Sequence, residues 1–206
     1  MSTNATATLP AVGRISYEDF LNWEGENQHV EWVDGEVVEM SPVDNLNNRN
    51  CGMVMRWISA FVEHYDLGEV RFEPFNMKTG PGLPGRSPDI LFVARQNEDR
   101  LKPLHLDGPA DLVVEVISAG TRRTDKVTKF REYEQGGVRE YWLIDPIRKE
   151  AEFFKLDDDG RYAPITIDHN NRFNSVVLPG FWLDVAWLWQ AKPPTIMELM
   201  RHWRII

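Results

Sequence analysis

Cysteine occurs once in the 206 residues, at Cys51, which excludes an intramolecular disulfide and a thiolate metal cage. No uninterrupted apolar stretch approaches the roughly 18 residues of a membrane-spanning helix. The opening Met1-Ser2-Thr3-Asn4-Ala5 has neither the basic nor the apolar run of a secretory leader, so a cytoplasmic location without a membrane role is expected. Basic residues are outnumbered, 23 Lys and Arg against 32 Asp and Glu, for a formal charge of -9. That balance argues against a protein that coats nucleic acid nonspecifically, because counterion release needs clustered cations. One local cluster is present, Arg122, Arg123, Lys126, Lys129 and Arg131, and it could guide an anionic substrate past an acidic cleft. The histidines, at 29, 64, 105, 169 and 202, lack metal-ligand spacing and give no support for zinc. A Gly-x-Ser-x-Gly elbow, a phosphate-cradling glycine loop and a dinucleotide fingerprint are all missing. Cys51 has no evident base beside it and reads as a small buried hydrophobe.

What the chain does have is a pair of acids in apolar surroundings. Ser87-Pro88-Asp89-Ile90-Leu91-Phe92-Val93 and Asp111-Leu112-Val113-Val114-Glu115-Val116-Ile117-Ser118 both have the pattern of buried strands. Each carries a carboxylate, Asp89 or Glu115, that an apolar core does not tolerate without compensation. If the strands pair, the two acids share one pocket and repel unless a cation lies between them. A hard, oxygen-liking ion such as Mg2+ or Mn2+ suits that pair, and hydrolysis of a phosphodiester is the leading chemistry. Competing structural readings are a turn-initiating acid after Pro88 for Asp89, and a buried ion pair with Arg122 or Arg123 for Glu115.

Residues 1 to about 14 read as a loose tail, and 15–206 as one domain. Ser16 caps a short helix to about Asn22. Asp34-Gly35, between alternating apolar runs over Val30 to Met40, signals a hairpin with Glu31 on its first arm. Met53, Trp57, Ile58, Phe61 and Val62 recur at helical spacing within a long helix from Leu46 to about Tyr65. Strands are predicted at Glu69 to Met77, Ser87 to Ala94 and Ala110 to Ser118, with a loop at Gly80 to Gly85. A helix from Arg122 to Gln135 ends at Gly136-Gly137, and the strand Val138 to Ile144 pairs with Ala151 to Leu156 across Asp145-Pro146. The order predicts an α/β (α+β) fold, a mixed sheet flanked by helices with an N-terminal hairpin.

Taken together, Pro88-Asp89, Glu115-Val116-Ile117-Ser118, Thr121-Arg122-Arg123, Asp125 with Lys129 and Tyr133, and Gly137 through Pro146 resemble the Uma-two family of putative restriction endonucleases, in the PD-(D/E)XK nuclease superfamily. The resemblance runs from about Ser16 to Leu156, includes Glu31 to Gly35, and thins beyond about residue 160. It implies a restriction-endonuclease-like core, in which Asp89 and Glu115 hold a divalent metal, Glu31 can complete the metal site, and a lysine assists the attacking water. The superfamily's usual lysine stands two residues after the second acid, where this chain has Ile117. The resemblance points instead to Lys129, with Lys126 as the substitute candidate. Asp125 and Lys129 are four residues apart and share a helical face, which is also the spacing of an ordinary solvated ion pair. Relatives carry a histidine near Asn47-Asn48, and this chain has none there.

Two functions from different classes follow. One is a divalent-metal-dependent endonuclease acting on DNA, with Arg122, Arg123 and Lys126 as DNA contacts. The other is a nuclease-fold protein that has lost cleavage and serves as a binding or regulatory module. The segment Phe181 to Trp203 holds four of the eight tryptophans and otherwise looks helical. It is expected to cover the core, and is the candidate contact if the protein is a homodimer.

Overall fold

The computed structural model of the protein describes residues 14–23, 29–40 and 44–206, so all but the last residue of the expected tail lies outside the described residues. Helix α1 (Tyr17–Leu21) starts where the Ser16 side chain accepts the Asp19 N–H. Strands β1 (Val30–Val33) and β2 (Glu36–Glu39) form the hairpin, and Asp34 and Gly35 both take the positive φ that an Asp-Gly turn supplies readily. Helix α2 (Asn45–Tyr65) is capped by Asp44, whose side chain accepts the Asn47 N–H at 2.8 Å, and it stops at Asp66 in the left-handed region.

Six strands make the larger sheet, and the order of pairing places the site. They are β3 (Gly68–Phe72), β6 (Ile90–Ala94), β8 (Leu112–Val116), β9 (Glu140–Asp145), β10 (Glu150–Leu156) and β11 (Tyr162–Pro164), in the order β11-β10-β9-β8-β6-β3. Within this sheet, among the described residues, only β8 and β9 pair in parallel, because the chain between them crosses over through a helical stretch that ends in α3 (Phe130–Gly136). Gly137, in the left-handed region at φ 83°, ends that helix as a residue without Cβ can. A smaller sheet joins the hairpin to β4 (Asn76–Lys78), β5 (Gly85–Arg86) and β7 (His105–Asp107) in the order β2-β1-β5-β4-β7.

The single strand predicted from Glu69 to Met77 is therefore two strands in different sheets. Pro74 lies between them and has no N–H to continue a ladder. Similarly, β5 occupies the end of what reads as a glycine-rich loop.

Alternation along the buried strands divides the core in two. Ile90, Phe92, Leu112, Val114, Trp142 and Ile144 pack with α2 and the C-terminal segment. Leu91, Val93, Val113, Ile117, Tyr141 and Leu143 pack on the opposite side with Tyr133 of α3.

The C-terminal segment is less helical than its sequence suggests. It comprises β12 (Arg172–Asn174) paired with β13 (Trp182–Asp184), a 3-10 turn over Val185–Trp189, and only one short helix, α4 (Ile196–His202). Trp187 and Trp203 are buried, and Trp182 and Trp189 pack against the same core cluster. The tryptophans thus close the chain's own core.

Glu140 explains how that segment is anchored. Fully buried in β9, its carboxylate accepts the Trp142 indole N–H at 2.6 Å, the Ser175 hydroxyl at 3.0 Å, and the N–H groups of Val176 and Val177 at 2.8 and 2.9 Å. A buried acid with this many donors is a structural clamp.

Candidate active site

The pairing of β6 with β8 sets up the centre. Ile90 is opposite Val114 and Leu91 opposite Val113, so the same antiparallel register carried one residue further sets Asp89 opposite Glu115. Both acids are buried and line one cleft of about 380 Å³. Asp89 Oδ2 accepts the Val116 N–H at 2.5 Å, which turns the carboxylate across the end of β8. Glu115 Oε1 accepts both the Lys129 ammonium at 2.9 Å and the Tyr133 hydroxyl at 2.8 Å.

Lys129 reaches Glu115 from the helix that crosses back over the sheet. Ile117, at the strand position where a lysine is otherwise expected, is buried in the apolar cluster beneath that helix. The helix widens into a π-turn over Thr124–Lys129, an irregularity often found at functional sites. Lys129 is 3 % exposed, so the alternative of an ordinary solvated ion pair with Asp125 does not hold. Its Nζ has Glu115 at 2.9 Å, with Glu31 and Asp125 each at 3.5 Å. The partners of Glu115 are accordingly Lys129 and Tyr133, in place of Arg122 or Arg123.

Glu31 is held from the hairpin side. Its Oε2 accepts Arg86 Nη1 at 2.7 Å and its Oε1 accepts the Ser87 N–H at 3.2 Å. Arg86 in turn makes a two-pronged contact with Glu132, at 2.7 and 2.8 Å. Arg86, Glu132, Glu73 and the role of Asn47 are not evident in the sequence. Arg86 sits at the edge of a glycine- and proline-rich stretch, and its only signal is adjacency to Ser87-Pro88-Asp89. Asn47 is buried near the start of α2, lines the cleft, and donates its amide to the Val116 carbonyl. It stands where relatives are expected to carry histidine.

Burial dominates the electrostatics. It pushes Asp89 up to about 7, with Lys129 and the Val116 N–H opposing and the charges of Glu73 and Asp125 adding to the rise. Glu115 is also pushed well above the usual carboxylate range by burial, despite Lys129. Burial raises Asp125 in the same way. Glu31 goes the other way: burial would lift it, but the charges of Lys129 and Arg86 and the hydrogen bonds from Arg86 and Ser87 hold it low. Lys129 loses stability as a cation by burial and regains more from Glu115, Glu31 and Asp125, which hold it protonated.

Among the described residues six acids line the cleft, Glu31, Glu39, Glu73, Asp89, Glu115 and Asp125, against two cations, Arg86 and Lys129. The surplus of hard oxygen donors suits a divalent cation. Among the described residues no hydrogen bond reaches Asp89 Oδ1 or Glu115 Oε2, which leaves one open oxygen on each. No three His, Cys, Asp or Glu side chains among the described residues are arranged as a ready-made metal cage. Two carboxylates suffice for Mg2+, which keeps several waters and takes further ligands from phosphate.

The basic residues expected to meet DNA lie outside the cleft lining. Arg122 pairs with Asp145, Lys126 pairs with Glu152, and Arg123 is exposed.

By fold, the protein is α+β, with mixed sheets flanked by helices, and this architecture is shared with a solved structure. That structure is described as "a putative nuclease belonging to DUF820" from Anabaena variabilis ATCC 29413, at a TM-score of 0.67 and 15% identity over 84% of this chain and 97% of that one. The sequence is more specific: a model of the Uma2 family, described as "Putative restriction endonuclease", matches residues 17–186, and the chain belongs to that family. The match extends beyond residue 160, through β12 and β13. The chain is also 25% identical over 164 residues to "Uncharacterized protein slr1290" of Synechocystis sp. (strain ATCC 27184 / PCC 6803 / Kazusa), covering 77% of this chain and 83% of that protein. Among the described residues no helix is long and apolar enough to cross a membrane.

Proposed function

We propose that the protein is a divalent-metal-dependent endonuclease that hydrolyses phosphodiester bonds in DNA. The observation that carries this reading is the convergence of Asp89, Glu115 and Lys129 on one acidic cleft, with the lysine supplied by the helix because Ile117 occupies the strand position. Asp89 and Glu115 offer their open oxygens to Mg2+ or Mn2+. When bound, the ion makes a neighbouring water more acidic and offsets charge on the phosphate oxygens. Lys129 orients that water and faces the charge that grows in the transition state. Glu31 is the third acid of the set; with both oxygens committed to Arg86 and the Ser87 N–H, it contributes its field to Lys129 rather than an open ligand.

Arg123 is free to meet the DNA backbone, and Arg122 and Lys126 would exchange their acidic partners for phosphates. The test is supercoiled plasmid incubated with Mg2+, Mn2+ or chelator. Nicked or linear product that depends on the ion and disappears in the Lys129→Met variant is expected, and intact plasmid with both ions would refute the reading. Cutting both strands with one site per chain calls for a two-fold pair. Light scattering that gives a monomer near 23.9 kDa would leave nicking as the activity.

A second reading has its own observations in Ile117, which departs from the superfamily's usual lysine, and Asn47, which stands where the resemblance implies a histidine. Under it the fold binds DNA and does not cut. Plasmid that is retarded but uncut would favour it.

A further inference from the structure

Asp125 carries a burden that the site as described does not explain. It is buried within the π-turn, and its Oδ1 receives no hydrogen bond among the described residues. Such an oxygen is costly to hide unless it has a use. The nearest cation is Lys129 Nζ at 3.5 Å, at the outer limit of a hydrogen bond and farther than its 2.9 Å from Glu115, while the Thr121 side chain also supports the carboxylate. Asp125 cannot drift away. Its carbonyl accepts the hydroxyl of Tyr141, on the central strand β9, at 3.1 Å, and this ties the π-turn to the sheet. Lys129 has three N–H groups, and among the described residues one carboxylate, Glu115, lies within about 3 Å of it while Glu31 and Asp125 stand back at 3.5 Å.

We infer that Asp125 is the exchange partner of Lys129: when Glu115 is drawn onto a divalent cation, the ammonium shifts from Glu115 Oε1 to Asp125 Oδ1 and stays beside the cleft. The inference rests on the metal-dependent reading above. The step exchanges one hydrogen bond for another and moves no proton. Asp125 acts through Lys129, and is a positioning residue. Without it, Lys129 remains on Glu115 and competes with the cation for that carboxylate.

Two measurements test this with Mn2+ as the probe, and neither depends on turnover. In crystals of the wild-type protein with Mn2+ bound, Lys129 Nζ should be within hydrogen-bond distance of Asp125 Oδ1 and beyond it from Glu115. By calorimetric titration, Asp125→Asn should weaken Mn2+ binding by about 10–100-fold, the range for residues that support a metal ligand. In a Lys129→Met background the same substitution should change affinity by only about twofold, because the competitor is gone. Mn2+ bound with Lys129 still on Glu115, Mn2+ coordinated directly by Asp125, or an equal loss in both backgrounds would overturn the inference while leaving metal binding intact. Failure of the wild-type protein to take up Mn2+ would overturn the metal reading, and this inference with it.

Discussion

Lys129 Nζ stands 2.9 Å from Glu115 Oε1, having arrived from a helix although the two residues are 14 apart in sequence. Both are buried, so the pair is far from the weak surface contact that an Asp125–Lys129 spacing suggests. Removing one partner of a buried pair strands the other charge.

Lys129→Met should therefore destabilise the metal-free protein by about 3–5 kcal/mol and abolish cleavage. Part of the lost stability should return on adding Mn2+, because a cation can then neutralise the stranded acids. Lys126→Met, which loses a partly exposed pair with Glu152 and a looser one with Glu150, should cost the metal-free protein no more than about 1 kcal/mol. Urea melts of both variants with and without Mn2+ make the comparison, and equal losses would show that Lys129 is no more than a structural cation.

Glu115→Gln keeps volume and removes charge. Mn2+ binding should be lost by calorimetry, while the far-UV spectrum stays that of the parent. Lys129 retains Glu31 and Asp125 as neighbours, so the fold keeps its buried cation compensated. Unchanged Mn2+ affinity would assign Glu115 a structural role.

The parts of this architecture legible in the sequence are those where local chemistry and tertiary context agree. Asp34-Gly35 has the φ values of a hairpin, and the spacing of Met53, Trp57, Phe61 and Val62 marks the buried stripe of α2. Asp89 and Glu115 stand out because acids in apolar runs violate the pattern. Where the reading fails, the missing information is nonlocal. Apolar alternation from Glu69 to Met77 does not record that the chain leaves one sheet for another at Pro74. Asp125 and Lys129 look alike whether their helical face is wet or covered, and only the hairpin, with Glu31 on it, shows that it is covered. Arg86 and Asn47 lie in segments whose local signals are those of a loop and a helix start. Their roles come from partners 46 and 55 residues away for Arg86, and 69 for Asn47.

Glu140 supplies a prediction away from the cleft. Three of its four hydrogen bonds fall on one oxygen, Oε2, from Ser175, Val176 and Val177. A glutamine in its place must either weaken those bonds with a neutral acceptor or turn its amide N–H groups toward donors. Glu140→Gln should cost about 1–3 kcal/mol and loosen the C-terminal segment, seen as a lower melting temperature and faster amide exchange at Val176 and Val177. Mn2+ affinity should not change. A melting temperature equal to the parent's would show that the clamp contributes nothing.

The metal-free protein should also become less stable as pH rises through neutrality. Asp89 is pushed from 3.8 to about 7 in the folded chain, with burial as the main cause. Between those values the native state binds the proton more tightly than the unfolded state, so stability is fully present below about pH 4 and lost progressively as pH rises through about 7. Glu115 and Asp125 are raised and act in the same sense, while Glu31 is lowered and opposes them. A cation must displace protons held by Asp89 and Glu115, so Mn2+ affinity should climb as pH rises through about 7. Urea titrations with chelator at pH 6 and pH 8 should show the higher midpoint at pH 6, and the difference should shrink in Asp89→Asn, which has no proton to lose. A midpoint that instead rises with pH in the parent protein, or a difference that persists unchanged in the variant, would show that Asp89 is ionised throughout and that the cleft is wetter than its burial implies.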